Sequence, residues 1–418
     1  MQRNSILAGA VAAAALLAAP LYAEDVEFQS WTFAEETGRA AIQSLADSFT
    51  ADTGLTVELQ GYAWGDMTRT YMLRSGSGTL PDVGQSQERL LPMLQDIEGI
   101  VDFNDIFSEE ELSEMFEPAF LAMGNVNGRQ IGLPWIGGSI GWVANMEVLE
   151  AAGVTEVPTT VEDFHAALEA VRDAVPGSVP FGFATRNNAS IVVDYLVWLR
   201  TFGGDIVQPD GTVTANAPEA VATLTWLVEA MNDRLIAPEI DRPDARRLFG
   251  QGAMAFYLDA PQARTFARQF SGRDEAIDAA VRPIQGPVLE AGDTPVSLQW
   301  GHVFVAFGED NAAADSPAVR FIMHALADEN LIDYATGQSA LPTTRSGAVA
   351  PSVAEDTFLS DWLAATVAPT PHSIASLDEG AEVTDVIGEE LQAAILGQRS
   401  PQEAADSMQS RLMAILGN

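Results

Sequence analysis

The order of apolar and polar residues near the start of the chain predicts a strand, a helix and a second strand. Strands are expected at residues 26–31 and 55–59, and further strands near Val83 and residues 131–133. Between the first two strands, Ile42, Leu45 and Phe49 recur at helical spacing. This helix is expected to end before Gly54. The sequence therefore predicts a βαβ unit and an α/β fold built on a parallel sheet.

Helices with clear start signals dominate the second half of the chain. Thr159 and Glu162 have the spacing of a capping box. Ser400 and Glu403 have the same spacing before the last apolar helix. Ser316-Pro317 places a proline in the first turn of another helix. With 418 residues and no internal repeat, the chain is expected to form two domains that are joined by several short crossings.

Residues 1–23 have the pattern of a secretory signal peptide. Arg3 precedes an almost entirely apolar run over residues 6–21, and the acidic pair Glu24-Asp25 follows Ala23. The run is short for a membrane span and ends beside a small residue, so cleavage is expected after Ala23. A retained membrane anchor is the alternative. Cleavage would release a soluble protein into the periplasm.

Composition restricts the possible partners of the mature chain. It has no cysteine, so an exported protein would fold without disulfides and would lack a lipid-anchored cysteine. Twenty-one basic residues, all arginine, stand against 59 acidic ones, and the net charge of −38 becomes −39 when Arg3 is lost. So acidic a surface repels nucleic acid and anionic lipid, and neither is expected as a partner. The acidic residues are spread along the chain, which fits solubility in a salty habitat.

Residues 137–141 match the G-x-S-x-G pattern of serine hydrolases, with Ser139 at the position of the nucleophile. In those enzymes an apolar strand precedes the serine and a helix follows it. Here Pro134-Trp135 comes before the pattern, and residues 140–144 continue as a strand. Of the four histidines, His165 and His324 fall inside amphipathic helices. The pattern favours a glycine-rich wall, and a secreted hydrolase is the less favoured alternative.

No metal site, cofactor or enzymatic activity is predicted. The sequence lacks the H-E-x-x-H motif, a calcium-binding loop and cysteine. Glu35 and Glu36 are adjacent acids, but neighbours in sequence rarely face each other across a substrate. One of them can instead cap the helix that follows.

Six of the eight tryptophans fall into two groups. Trp198 and Trp226 lie at helical spacing among apolar residues and are expected in the core. Four others lie at predicted strand ends or in loops, namely Trp31, Trp64, Trp135 and Trp300. Loops at the carboxyl ends of parallel strands are where α/β sheets bind ligands, and an indole beside amides and carboxylates suits a sugar. Taken singly, each of these four tryptophans is explained equally well by burial in the core. Taken together, the four favour a ligand-binding cleft.

Short motifs run in a fixed order through almost the whole mature length. They are FTADTG (49–54), SGSGTLPDV (75–83), NGRQIGLPW (127–135), Asn145, FGFA (181–184), FGG (202–204), TANAPEAV (214–221), FGQGAMA (249–255), TG (336–337) and LPT (341–343). In this ordered set the chain resembles the extracytoplasmic solute-binding proteins of ABC importers. The resemblance is to the large sugar-binding family of the maltose-binding-protein type.

The resemblance implies a two-lobe periplasmic binding protein fold of type II, with a ligand cleft between lobes joined by three hinge crossings. The crossings are placed near residues 137–139, 299–303 and 341–347. The implied N-terminal lobe comprises residues 24–137 and 303–343, and the C-terminal lobe residues 138–302 and 344–418. Two segments depart from the family pattern, namely Val143-Ala144-Asn145 in place of an ending Tyr-Asn, and Gln299-Trp300-Gly301-His302 in place of a glycine run.

By the same resemblance, the protein is expected to be a monomeric receptor that delivers a mono- or oligosaccharide to membrane permease subunits. The residues predicted to contact the ligand are Trp31, Glu36, Trp64, Asp82, Gln85, Gln87, Trp135, Gly138, Ser139, Tyr257, Asp259, Gln299, Trp300, Gly301, His302 and Arg345. Trp300 is the predicted stacking platform. Gly301 would leave space beside the backbone, and Gln299 or His302 would reach hydroxyl groups.

An anionic sugar derivative is the alternative ligand. A chain without lysine and with few arginines offers little to a polyanion, but one sulfonate, phosphate or carboxylate needs a single cation. Arg345, just after the third crossing, is the predicted clamp. Its alternative role is a salt bridge across the lobes to a carboxylate such as Asp82.

Overall fold

The computed structural model describes residues 25–208, 210–366, 369–374, 377 and 379–417, so the predicted signal peptide lies outside the described residues. The strands are β1 Val26–Ser30, β2 Val57–Gly61, β3 Val83–Gln87, β4 Asn125–Val126, β5 Arg129–Gln130, β6 Leu133–Asn145, β7 Val179–Gly182, β8 Met254–Asp259, β9 Val281–Ile284, β10 Leu298–Ala306 and β11 Leu341–Pro342.

Helices cover the sheet and connect its strands. They are α1 Trp31–Ala34, α2 Glu36–Thr53, α3 Met67–Ser77, α4 Glu109–Met115, α5 Pro118–Leu121, α6 Met146–Ala151, α7 Val161–Ala174, α8 Ala189–Thr201, α9 Pro218–Asn232, α10 Arg242–Gly250, α11 Ala263–Ser271, α12 Pro317–Leu326, α13 Asp328–Gly337, α14 Arg345–Ala348, α15 Pro351–Ala354, α16 Thr357–Ala365, α17 Gly380–Ile395 and α18 Pro401–Leu416. Short 3-10 helices include Trp64–Asp66 and Glu88–Leu94. In the part of the chain described, no helix is both long and apolar enough to cross a membrane.

A single sheet continues through both lobes. Its main path is β2-β1-β3-β10-β6-β8-β7, with β11 and β9 also paired to β6. Strand β1 pairs in parallel with β2 and with β3, which confirms the predicted βαβ unit. Strand β6 pairs with β10 up to Ile140 and with β8 from Gly141 onward. Strand β6, with 13 residues, therefore belongs to the sheet of both lobes and links the first lobe to the second.

The three segments predicted as crossings are neighbours in this sheet. Gly138 in β6 pairs with Trp300 in β10, and Leu341 in β11 pairs with Gly137. Each crossing therefore supports the next through backbone hydrogen bonds. The lobe boundaries assigned from the sequence stay predictions.

The predicted element ends hold to within a few residues. Strand β1 stops at Ser30, because the Ser30 hydroxyl accepts a hydrogen bond from the Phe33 N–H and so caps α1. Helix α2 ends at Thr53, as predicted, and Gly54 adopts the left-handed φ of 75° that suits glycine. The capping box at Ser400 is confirmed. The one at Thr159 is wrong, because Thr160 caps α7.

Each lobe has an aromatic core beside the sheet. In the first lobe, Trp135 stacks on Tyr334, with ring centroids 4.0 Å apart, and also contacts Phe304. In the second lobe, Trp198 lies edge-on to Trp226 at 4.6 Å, and both are buried. The prediction that Trp198 and Trp226 belong to the core is confirmed.

Candidate functional site

Two cavities lie between the lobes, next to the carboxyl ends of the first-lobe strands β2 and β3. The first has a volume of about 240 Å³, with Trp64 and Arg89 on its first-lobe wall and residues of α8 and α17 on its second-lobe wall. The second, of about 270 Å³, is lined by Glu88, Arg89 and Gln299 among others. Arg89 and His372 line both cavities. This is the position at which open α/β sheets bind ligands.

Trp64 and Arg89 form the polar-aromatic wall of the first cavity. The Arg89 guanidinium lies 5.6 Å from the Trp64 ring centroid, a cation–π contact. Within the described part of the chain, Arg89 has no salt bridge and no side-chain hydrogen bond, and the buried Nε1 of Trp64 has no acceptor. Burial lowers the pKa of Arg89, although a guanidinium remains charged at any physiological pH.

Glu88 is enclosed beside Arg89 at the start of the 3-10 helix Glu88–Leu94. One carboxylate oxygen accepts a hydrogen bond from the Gly301 N–H at 2.8 Å. The other has no partner among the described residues. Burial raises the pKa of Glu88 to about 7, in spite of the opposing charge of Arg89. Glu88 is therefore more readily protonated near neutral pH than an exposed glutamate.

Glu88→Gln is expected to make the free energy of unfolding depend less on pH between about 4.5 and 7. A carboxyl whose pKa is raised by folding stabilises the fold fully below its unfolded pKa near 4.5, and this contribution is lost as pH rises through about 7. The variant should be more stable than wild type by about 1–3 kcal/mol at pH 8 and equal to it at pH 4. Urea unfolding at both pH values measures the difference. The same change at exposed Glu36 is the control, and an equal pH response in both variants would contradict the burial of Glu88.

Two neutral histidines lie near the cleft: His372 lines both cavities, and the buried His302 lines neither. Burial lowers the pKa of His302 and of His372 to about 3, and the positive charge of Arg89 acts in the same direction on each. The His302 Nδ1 lies 3.1 Å from the Gln85 amide nitrogen, which donates, so the ring proton is placed on Nε2. The His302 ring lies between Trp31 at 4.8 Å and Trp300 at 4.6 Å.

Two buried ion pairs line the second lobe on the side that faces the first. Arg246 binds the Asp259 carboxylate with two hydrogen bonds of 2.8 and 2.9 Å. Arg242 is paired with Asp194, which is fully buried. Across the cleft, Arg246 attracts Glu35 of the first lobe, but burial outweighs this attraction and raises the Glu35 pKa. On the second-lobe side of the cleft, the charges of Arg242 and Arg246 are thus compensated by Asp194 and Asp259.

The predicted contact residues are divided between the cavities and the lobe cores. Trp64 and Gln299 line the cavities. Buried residues that do not line them are Trp31, Gln85, Gln87, Trp135, Ser139, Tyr257, Asp259, Trp300, Gly301 and His302. Asp82 is held inside the first lobe, where its carboxylate accepts from the Glu27 N–H and from Asn311. Gly138 lies against Pro261, and Glu36 is exposed.

Trp300 is enclosed in this conformation. Its side chain is 3% exposed and packs near Gly138 and His302, where the two lobes meet. The position of a Cβ on Gly301 would lie 2.8 Å from the Met123 sulfur. The glycine therefore makes room for Met123, not for a ligand, which corrects the expectation from the sequence.

Ser139 is engaged in hydrogen bonds that hold the second lobe. Its hydroxyl donates to the Thr366 hydroxyl at 2.7 Å and accepts from the Trp362 indole at 3.2 Å. The glycines around it allow close packing, because a Cβ on Gly141 would lie 2.4 Å from the Thr366 methyl. The glycine pattern around Ser139 is explained by packing.

Arg345 lies on the surface. Its guanidinium pairs with Glu117 at 2.9 Å, and both side chains are 43% exposed. The predicted alternative role, a salt bridge to a carboxylate, is confirmed, but the partner is Glu117 and not Asp82, which is held by other partners. Sequence reasoning missed Glu88, Arg89, Arg242 and Arg246.

Comparison with known proteins decides the family. A model of bacterial extracellular solute-binding proteins matches residues 44–362, which is well over half of the chain. The chain belongs to that family. The probable ABC transporter-binding protein of Deinococcus radiodurans is 26% identical over 153 residues, which make up 35% of this chain and 36% of that relative's length.

Two solved structures share the architecture over almost the whole chain. Maltose-bound MalE3 of T. maritima superposes with a TM-score of 0.82 at 22% sequence identity, and the match covers 93% of this chain and 99% of the MalE3 chain. The GacH receptor of Streptomyces glaucescens was solved unliganded and with acarbose. It superposes with a TM-score of 0.82 at 18% sequence identity, and the match covers 94% of this chain and 98% of the GacH chain. These similarities confirm the predicted two-lobe α/β fold.

Proposed function

We propose that the protein is the exported receptor of an ABC importer and binds a carbohydrate between its two lobes. The observation that carries the proposal is the cavity of about 240 Å³ between the lobes, at the carboxyl ends of β2 and β3. Its family and its structural neighbours are binding proteins, and the two neighbours described above are complexes with maltose or acarbose.

The chemistry of the cavity wall supports a sugar as ligand. Trp64 offers an indole, while Val192, Val193 and Leu377 add apolar surface for the C–H faces of a ring. Unpaired polar atoms on Trp64, Glu88 and His372 lie in residues that border the cavities. Buried polar atoms without partners are costly, so a ligand rich in hydroxyl groups would gain affinity by satisfying them.

We further infer that the protein carries out no catalysis. Ser139 is held by Thr366 and Trp362, and Asp259 is neutralised by Arg246. Binding between the lobes is expected to favour the closed state by the difference in ligand affinity between the two states. Delivery to permease subunits after closure follows from the proposed role, with the protein acting as a monomer.

Calorimetric titration with a panel of neutral and acidic mono- and disaccharides tests this function. At least one sugar should bind, and at one hundred times its dissociation constant it should add about 2.7 kcal/mol to the free energy of unfolding. Trp64→Ala should weaken that sugar at least tenfold, about 1.4 kcal/mol, because the indole lines the cavity. Leu363→Ala, at a site 52% exposed on α16, is the control and should leave affinity unchanged. A folded protein that binds no sugar would contradict the proposal.

A further inference from the structure

We propose that the ligand is a small sugar with one anionic group, a carboxylate or sulfonate, and that Arg89 binds this group. The inference rests on the proposed function and names the class of sugar for the same cavity. It moves the site of anion recognition from Arg345, which is exposed and paired, to an arginine between the lobes.

Arg89 differs from the other enclosed arginines in forming no salt bridge with the described residues, although the charge of the neighbouring Glu88 acts on it at longer range. Arg242 pairs with Asp194, Arg246 with Asp259, and Arg264 with Asp356. Among the described residues no carboxylate lies within salt-bridge distance of Arg89. The arginines that also lack a salt bridge in the described part of the chain are Arg39, Arg69, Arg234, Arg282 and Arg320. Each of these is exposed to solvent, whereas Arg89 lies in a cavity wall. An isolated cation in a cavity wall is costly unless a ligand supplies the charge.

The surroundings of Arg89 leave its charge available. His372 beside it is neutral. Glu88 is directed toward the Gly301 N–H, and burial raises its pKa to about 7, so it compensates Arg89 only in part at neutral pH. Asp385, on the opposite wall, is exposed to solvent. Among the described residues that line the two cavities, Arg89 is therefore the one positively charged side chain, and it has no salt bridge.

The geometry favours a monoanion on a small sugar. A guanidinium presents two parallel N–H groups, which match the two oxygens of a carboxylate or sulfonate. A phosphate dianion would need a second cation, and Glu88 would oppose it. The volume of about 240 Å³ lies below the ~300–1,000 Å³ of pockets for drug-sized ligands, which favours one or two sugar rings over a long oligosaccharide.

The test compares matched neutral and acidic sugars on the full mature chain. The probes are glucose against glucuronate, galactose against galacturonate, and glucose against 6-deoxy-6-sulfoglucose, each titrated by calorimetry. We expect at least one acidic member to bind at least tenfold more tightly than its neutral partner. Comparing the affinities for the carboxylate sugars with the affinity for the sulfonate sugar shows which anion the site prefers.

Two variants assign the effect to Arg89. Arg89→Gln should weaken the acidic sugar at least thirtyfold while changing its neutral partner less than threefold, and Arg89→Lys should retain part of the affinity. Arg345→Gln removes the same charge from the surface and should change neither. Thermal unfolding without ligand should show only a small loss of stability in Arg89→Gln, because the substitution removes the cation–π contact with Trp64 but breaks no salt bridge among the described residues.

The outcomes separate this inference from the proposed function. Binding of neutral sugars with no preference for acidic ones would overturn the anionic class and leave the sugar receptor intact. If the folded Arg89→Gln variant bound the acidic sugar as tightly as wild type, the proposed role of Arg89 would be overturned. A complete lack of sugar binding would overturn the proposed function, and this inference with it.

Discussion

Arg242→Gln is expected to lower the free energy of unfolding by about 3–5 kcal/mol. Asp194 is fully buried, and its carboxylate accepts hydrogen bonds from Arg242 and from the Ala184 N–H at 2.8 Å. Removing the guanidinium leaves a buried carboxylate that a neutral amide compensates poorly. Burial already raises the Asp194 pKa, and loss of Arg242 should raise it further. The destabilisation should therefore increase as pH rises and shrink in acid, where Asp194 is protonated.

Urea unfolding of wild type and variant at pH 5 and pH 8 measures the effect. Arg345→Gln is the matched control, because the Arg345–Glu117 pair is exposed, and exposed pairs contribute about 0–1 kcal/mol. Equal losses in the two variants would contradict the view that Asp194 depends on Arg242.

Trp300→Ala is the second change with a large expected effect. The indole is 3% exposed and packs near Gly138 and His302, so truncation should leave a cavity and cost about 3–5 kcal/mol. In the part of the chain described, Trp300 does not line either of the two cavities. Affinity for the best sugar should therefore fall less than tenfold in the variant that remains folded.

Unfolding and sugar titration on the same variant separate packing from stacking. Leu363→Ala, on the exposed side of α16, is the control and should change stability by less than about 0.5 kcal/mol. A small loss of stability with affinity reduced at least tenfold would support Trp300 as a stacking platform and would contradict our account of its packing.

The sequence predicts the fold well where local signals are strong. The alternation in β1, the apolar face of α2 and the glycine at residue 54 each point to one structure, and each is confirmed. The start of α7 is different, because Thr159 and Thr160 are both good caps. The Thr159 carbonyl accepts from the Val288 N–H, a partner 129 positions away, and Thr160 then takes the cap. Local sequence cannot decide between two adjacent threonines.

The proposed binding site is less predictable from the sequence, because it depends on contacts between distant segments. Four tryptophans near predicted strand ends look alike in sequence. Trp135 is enclosed by Tyr334, which follows it by 199 residues, whereas Trp64 lies in a 3-10 turn at the cavity. Likewise, the Glu117 partner of Arg345 is 228 positions away. Only the folded chain shows that Arg345 is paired with a carboxylate and that Arg89, in the cavity wall, forms no salt bridge within the described part of the chain.

One signal for the missed residues was nevertheless present. Glu88-Arg89 directly follows the strand that was expected near Val83. The rule that ligands bind at the carboxyl ends of parallel strands, used to select the tryptophans, applies equally to this charged pair. Arg242 and Arg246 carry no comparable signal, since they lie on a helix and face the cleft only through the packing of α10 on β8.

A crystal structure of the complex with the tightest sugar of the panel would show where the ligand binds. We expect a sugar ring between the lobes, within about 4.5 Å of Trp64 on one side and of α8 or α17 on the other. A sugar bound to one lobe alone, or outside the cleft beside β2 and β3, would contradict this expectation.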